Sequence, residues 1–486
     1  MKPIQSATKQ EMNTEMNLQQ IGRSKRTVLI CLTAMFMLIA GYSSAAVNTL
    51  LNSGTWETPA NWSTGSIPTD ADDVIIPGDI VVTINSSAIC GSLTFGDMGA
   101  ASSITISGSN SLTIATSGGR NGNLYFNPNN NTELYQLNVN AGSLTVEGQV
   151  VSGGNNGGGI VVTTGSVLFS STATMIWGEA VNVTINGTGN VTFNGDLSLS
   201  TVSSGFTSFS LTNSGSFIFN GAVTQSDASY TISNTGTAGN FYFNDGYDIS
   251  AGTFTTMNGT NIYASTAFNN SGSSLVLDPG SNFIVNANTS ITPTSAINLG
   301  DVIMNSGNTL TLNGNISVAG DWTNNGGTLT PNTSTVSFNS ATAKSINGTA
   351  ASQTFYNVEV ALGAGQALSI GGSTTTFTTN SLTVTTGNFS AGTATTVNID
   401  GDLTITTGTY TCGTTTNLTG SLSNAGTFTG AVGRTLNFIG ATNATVTGAG
   451  TFLIYNIGLN KSTKATTVEI QSSTFITGIN TAAAYN

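Results

Sequence analysis

LTVTTGNFSAGTATTV, at residues 382–397, is answered by LTITTGTYTCGTTTNL at residues 403–418. At an offset of 21, Leu382, Val384, Gly387, Phe389, Gly392, Thr393 and Thr395 map onto Leu403, Ile405, Gly408, Tyr410, Gly413, Thr414 and Thr416. A third copy, SLSNAGTFTG from Ser421, repeats the pattern with Leu422, Gly426 and Phe428 after a shorter gap. Self-similarity at so short a period marks a stacked array, in which one unit cannot bury its apolar side alone and does so against the next.

Working outward, a longer correspondence joins GDWTNNGGTLTPNTSTVSFNSATAKSING from Gly320 to GSLSNAGTFTGAVGRTLNFIGATNATVTG from Gly420. It sets Phe338 against Phe438, and Tyr356-Asn357 is echoed by Tyr455-Asn456. Earlier in the chain, aromatic-Asn pairs recur at Phe126-Asn127, Phe193-Asn194, Phe219-Asn220 and Phe243-Asn244, the last three spaced by 26 and 24 residues. Short runs such as Val181-x-Val183-x-Ile185 and Leu310-x-Leu312 alternate with period two, the pattern of strands with one buried and one solvated face. Gly and Asn punctuate the runs and supply the left-handed backbone that tight corners need.

Two architectures fit short strands and frequent turns. Tandem β-sandwiches need units nearer a hundred residues. A solenoid explains the shorter period, with Phe ladders filling the core and Asn ladders satisfying the turns. The chain is therefore expected to be all-β, a right-handed parallel β-solenoid (β-helix) with an N-terminal cap. Its expected plan is a signal peptide at 1–46, cap and first rungs at 47–100, and repeats of about 20–26 residues over 101–486. Some twenty rungs at about 4.8 Å each give a rod of about 95 Å.

The opening of the mature part reads GTWETPANWSTGSIPTDADDVIIPGDIVVTINSSAICGSLTF, residues 54–95. This order of Trp, Trp, Gly, Ile-Pro, an acidic turn and strands resembles the start of secreted β-helix repeat proteins of the Bacteroidetes type. The unit from Gly320 resembles their repeats. The resemblance covers much of the mature chain and implies an exported, adhesin-like scaffold, often carrying a C-terminal sorting domain. No such domain is recognisable in the closing INTAAAYN, residues 479–486. An open solenoid end exposes strand edges and core, so Trp56, Pro59, Trp62, Ile67 and Pro68 are read as cap material. The competing role for Trp56 and Trp62 is a sugar-stacking platform for glycan contact.

Export is also read directly from the residues. Arg23, Lys25 and Arg26 precede a short apolar stretch, Thr27 to Ala40, and Ser44-Ala45-Ala46 offers a cleavage site. That predicts a secreted chain with cleavage near Ala46 and no membrane span in the mature part, and the resemblance implies a secreted or outer-surface location in a Gram-negative setting. Of 486 residues only 7% are charged, none is His, and 59 are Gly. Beyond residue 46 there remain five basic and twenty acidic residues, a formal charge of −15. Phosphate recognition needs clustered Lys and Arg, so nucleic acid is not an expected partner. Glycans, matrix or other cell-surface molecules are.

The missing histidine removes Ser-His-Asp and Cys-His catalysis and the commonest zinc ligand. The expected function is a structural or adhesive module without cofactors and without catalysis. The alternative is a carbohydrate-active β-helix lyase or hydrolase, for which Asp400 and Asp402 are the best local carboxylate pair; Asp-Gly-Asp between strands otherwise reads as a turn. Asp70, Asp72 and Asp73 are the place where a structural calcium would sit. Cys412 falls opposite Ala391 in the 21-residue register, a small buried position, and Cys90 has apolar neighbours. A last alternative, ice binding, rests on Thr383 and Thr385 stacking over Thr404 and Thr406.

Overall fold

The computed structural model describes residues 46–96, 101–126, 135–152, 158–177, 180–200, 207–236, 238–272 and 275–477. The expected signal sequence up to Ala45, and Asn127 of the first aromatic-Asn pair, lie outside the described residues. Strand accounts for 53% and helix for 2%, wound into a parallel β-solenoid of about 17 turns. Ladders run parallel from Val47↔Asp73 at one end to Ala444↔Val468 at the other, which sets aside the antiparallel sandwich. At about 4.8 Å per rung the rod is about 80 Å long.

Each turn lays one strand on each of three faces. The first face is a nine-stranded sheet from Gly54–Thr55 to Thr253–Thr255, followed by a ten-stranded sheet from Leu275–Val276 to Val468–Ile470. The second face runs without interruption through seventeen strands, from Ser87–Cys90 to Thr451–Leu453. The third face begins as the five-stranded sheet from Val47–Thr49 to Val150–Ser152 and ends as the six-stranded sheet from Ser352–Thr354 to Asn456–Lys461. Midway, Asn261–Asn270 and Asn282–Ile291 are single ten-residue strands that bend across two faces. Their register shifts between Ala264 and Thr266, where Thr266 takes a positive φ of 66°.

Alternation decides what is inside. Strand after strand buries its second and fourth residues, as in Val191 and Phe193 or Phe217 and Phe219. Equivalent rings stack from turn to turn: Phe169 on Phe193 at 4.6 Å, Phe193 on Phe219 at 5.3 Å, Phe219 on Phe243 at 5.2 Å. Phe126 belongs elsewhere, on the third face, stacked on Phe95 at 5.2 Å. Buried Asn234 and Asn324 accept from the amides of Gly236 and of Gly326 and Gly327, the turn-satisfying role expected of asparagine.

The 21-residue register holds on two faces. Leu382↔Leu403 and Val384↔Ile405 pair on the first, and Phe389↔Tyr410 on the second. It then breaks: on the third face Thr396 pairs with Thr415, an offset of 19, so Thr416 lies beside Val397 and not Thr395. The corner after Ala391 holds two more residues than the corner after Cys412, and a bonding register counts residues where a motif comparison aligns types. Gly387 and Gly408 show why glycine recurs at an earlier corner. Both have positive φ, and a Cβ on Gly408 would strike the Gly387 carbonyl oxygen of the rung below.

The longer correspondence also lands out of phase. Phe338 lies on the first face in the ten-stranded sheet, Phe438 on the third in the six-stranded one. Trp322 is likewise on the second face and Leu422 on the first.

Both ends are closed. Trp56 and Trp62 are buried, edge to face at 4.8 Å, and the Trp62 Nε1–H donates to the Trp56 carbonyl at 2.7 Å. Pro68 is buried beside this cap, while Pro59 and Ile67 stay exposed. At the far end the short helix Ser473–Thr477, not anticipated from sequence, sets buried Phe475 edge-on to Phe452 at 5.1 Å.

Candidate functional site

Trp56 and Trp62 cannot serve as the glycan platform. Only 1% and 2% of their surface is accessible, and each packs against the other, so neither ring face is open to a sugar. They belong to the core, and that corrects the binding role entertained for them.

The acidic turn is spoken for as well. The Asp72 carboxylate accepts from the Thr69 N–H at 2.8 Å and hydroxyl at 2.9 Å. Asp73 accepts from the Ser92 hydroxyl at 2.6 Å and pairs with Arg120 Nη1 at 3.1 Å. Arg120 also donates through Nε and Nη2 to the Ala71 carbonyl, each at 2.9 Å, clamping the turn from two rungs on. Among the described residues no three His, Cys, Asp or Glu side chains gather as a metal ion requires, so Asp70, Asp72 and Asp73 do not assemble the calcium site considered above.

Asp400 and Asp402 occupy the corner between the third and first faces. The Asp402 carboxylate accepts from the Ser421 N–H of the next rung at 2.7 Å, the corner-holding role that a turn residue plays. The same device recurs along the rod. Asp301 accepts from the Asp321 N–H at 2.6 Å, Asp321 from the Ser345 N–H at 2.7 Å, and Asp196 from the Ala222 N–H at 2.9 Å. Glu57 takes the amides of Asn85 and Ser86, both at 2.8 Å. A carboxylate oxygen in a charge-assisted bond to a backbone amide ties each corner to the next.

Among the described residues the thiols, Cys90 and Cys412, are free and buried. Burial pushes the Cys412 thiol up to about 12 and raises Cys90 further, with Asp73 and Asp72 adding to the latter. Cys412 and Ala391 share a corner position and are both buried, as the register implies. Thr383 pairs with Thr404, but Glu359 precedes and Ser423 follows in that column, so the threonine array stops after two rungs.

The most distinctive exterior feature is on the second face. Its outward middle column reads Ile218, Tyr242, Tyr263, Ile284, Ile303 over five consecutive rungs. All five are partly exposed, on a face whose other outward positions are mostly Ser, Thr and Asn, with Ile89, Leu168 and Leu453 standing singly. Tyr242 and Tyr263 stack at 4.3 Å with only 4° between their planes, and burial followed by the Tyr263 neighbour raises the Tyr242 phenol above its ordinary value. Amide ladders flank the column on both sides. On one, Asn240 Nδ2 donates to the Ser216 hydroxyl at 3.3 Å, Asn261 to Asn240 Oδ1 at 3.0 Å, and Asn282 to Asn261 Oδ1 at 2.9 Å. On the other, Asn220 donates to Asn194 at 3.1 Å and Asn244 to Asn220 at 2.9 Å.

The stripe is not legible in the sequence, for a physical reason. FIF at 217–219, FYF at 241–243 and FIV at 283–285 are apolar at every position, so the period-two contrast that separates inside from outside is missing. The same holds for IYA at 262–264 and VIM at 302–304, so the absence of that contrast in five neighbouring rungs is the available signal. Elsewhere, a shallow pocket of about 360 Å³ lies between Leu459, Lys461, Lys464 and Val468. Lys461 is not free to serve it, because its ammonium donates to the carbonyls of Thr419, Ile439 and Thr442.

No protein-family model matches the chain, and no curated protein or solved structure matches it.

Proposed function

We propose that the chain is an exported structural and adhesive repeat module that presents the long surface of its solenoid outside the cell, and that it is not an enzyme. The observation that carries this reading is the seventeen-strand second face, a rigid surface about 80 Å long on which Tyr and Ile stand outward between fixed amides. The carboxylates described above support the non-catalytic part. Asp402, Asp301, Asp321, Asp196 and Glu57 are each engaged by a backbone amide, where an acid or base for glycoside cleavage needs an oxygen aimed at substrate.

Export fits the place where the solenoid starts. The first strand begins at Val47, so cleavage after Ala46 leaves it whole and removes a single acceptor, the Ala46 carbonyl that takes the Asp73 N–H at 2.9 Å. Among the described residues no helix is long and apolar enough to cross a membrane.

Cells lacking the chain, compared with their parent for attachment to polysaccharide-coated surfaces and for biofilm mass, test the proposal. Reduced attachment that the added protein restores is the expected result, and unchanged attachment and biofilm would overturn it. Incubation of the protein with acidic and neutral polysaccharides, followed by an assay for new chain ends, tests the absence of catalysis; bond cleavage would refute it.

A further inference from the structure

The geometry points to the stripe from Ile218 to Ile303 as a binding site for a single linear, uncharged glycan chain lying along the rod axis. This rests on the adhesive reading and names the face and the ligand class. Three properties of the stripe select that class.

The first is charge. Between Thr192 and Ile284 the middle column and its two flanking ladders hold Thr, Ile, Tyr, Ser and Asn, with no Asp, Glu, Lys or Arg. A polyanion finds no cation there and meets a chain of formal net charge −12, and the one acid in the patch, Asp301 in the Ile303 rung, already accepts from the Asp321 N–H. A neutral ligand is the one this surface does not penalise.

The second is the alternation of apolar and fixed polar groups. Tyr242 and Tyr263 lie face to face, and their rungs are flanked by those of Ile218 and Ile284, so ring edges and hydroxyls point outward together with Ile methyl groups. Inside the ladders, Asn240, Asn261 and Asn220 each spend one Nδ2–H and one lone pair of Oδ1 on their neighbours. The second N–H and second lone pair remain for a ligand, held in position at no further entropic cost. A sugar chain has the matching surface, with C–H groups for the centre and hydroxyls for both flanks. An extended peptide does not, because the strands below have already paired their backbone groups with neighbouring rungs.

The third is size. Five rungs at about 4.8 Å by three outward columns at about 6.7 Å cover about 480 Å². A stable protein dimer needs about 800 Å² from each partner, so a second copy of this chain is too large an occupant for the patch. A narrow polymer is not.

The test is affinity electrophoresis of the full chain in gels containing a soluble β-glucan, xylan or mannan, with alginate as the charged comparison. Sedimentation velocity and thermal unfolding are run in parallel. Retardation by at least one neutral polymer and not by alginate is expected. Tyr242→Ser/Tyr263→Ser is expected to weaken that binding at least tenfold, and Asn261→Asp, which places a charge in one ladder, to weaken it as well. Tyr263→Phe, which keeps the stack, guards against a folding artefact: a smaller loss at unchanged melting temperature is expected. Retardation that survives in the folded double variant overturns this site while leaving the adhesive reading standing. Failure to bind any polysaccharide by a protein that still restores cell attachment overturns the ligand class. A concentration-dependent dimer abolished by the double variant, without glycan binding, also overturns it.

Discussion

Truncating Phe219 to alanine should be among the most damaging single changes in the rod, and its damage should be confined in space. Phe219 is 1% exposed and stacks on Phe193 at 5.3 Å and on Phe243 at 5.2 Å, with planes 16° and 10° apart. Removing the ring uncovers about 150 Å² of apolar contact, about 4 kcal/mol at 25 cal/mol per Å². The lost ring contacts, including that to Phe217 at 6.1 Å, press the figure upward and partial collapse of the cavity presses it down, so about 4 kcal/mol is the expected loss. Because turns touch only their neighbours, the loss should be felt locally. Native-state hydrogen exchange provides the assay. Amides of Asn190–Phe193, Ser216–Phe219 and Asn240–Phe243 should exchange faster by a factor reflecting the full loss, while those of Thr396–Ile399 keep their protection. Tyr242→Ala, which breaks an outer stack and leaves the interior filled, should cost about 1 kcal/mol. A Phe219→Ala loss under about 1.5 kcal/mol, or one spread evenly over every rung, would refute the nearest-neighbour account.

Other perturbations probe the corners and the buried groups. Gly408→Ala should destabilise by more than 1 kcal/mol by urea denaturation, because its left-handed φ and the Gly387 carbonyl both oppose a Cβ. Asp301 is held above the ordinary carboxylate range chiefly by burial, with the Asp321 N–H bond working against the shift. A carboxyl raised in the folded state binds its proton more tightly there than in the unfolded chain. Its contribution to stability should therefore grow as pH falls from above the raised folded value to the unfolded value near 4, and Asp301→Asn should abolish that increment in a pH series of melting temperatures. Neither Cys90 nor Cys412 should react with a thiol reagent in the native protein, and both should do so in denaturant; fast native labelling would contradict their burial.

How much of this was legible in the sequence differs by level. Leu382, Phe389 and their partners one turn on identify the solenoid because stacked positions must match in size, and size survives in the residue type. The bonding register on the third face was not legible, since a corner two residues longer leaves composition unchanged and only the pairing Thr396↔Thr415 records it. Trp56 and Trp62 were read correctly as cap and wrongly as platform, because indole serves burial and sugar contact equally and its accessibility is set by the turn around it. The Tyr242–Tyr263 stripe was hidden because outward apolar residues sit between inward ones, and a run such as FYF does not state which side each ring takes.

The displacement of the segment at Gly420 by one face relative to the segment at Gly320 bears on how such a rod changes length. A stretch that folds equally well one face earlier has strands that are interchangeable among the three sides. The unit of growth is then a single strand with its corner. Insertions and deletions that are not whole turns can be absorbed by rotation of everything downstream. Every outward column beyond such an event changes side, so a ligand stripe longer than a few rungs persists only where lineage has spared that stretch from resizing.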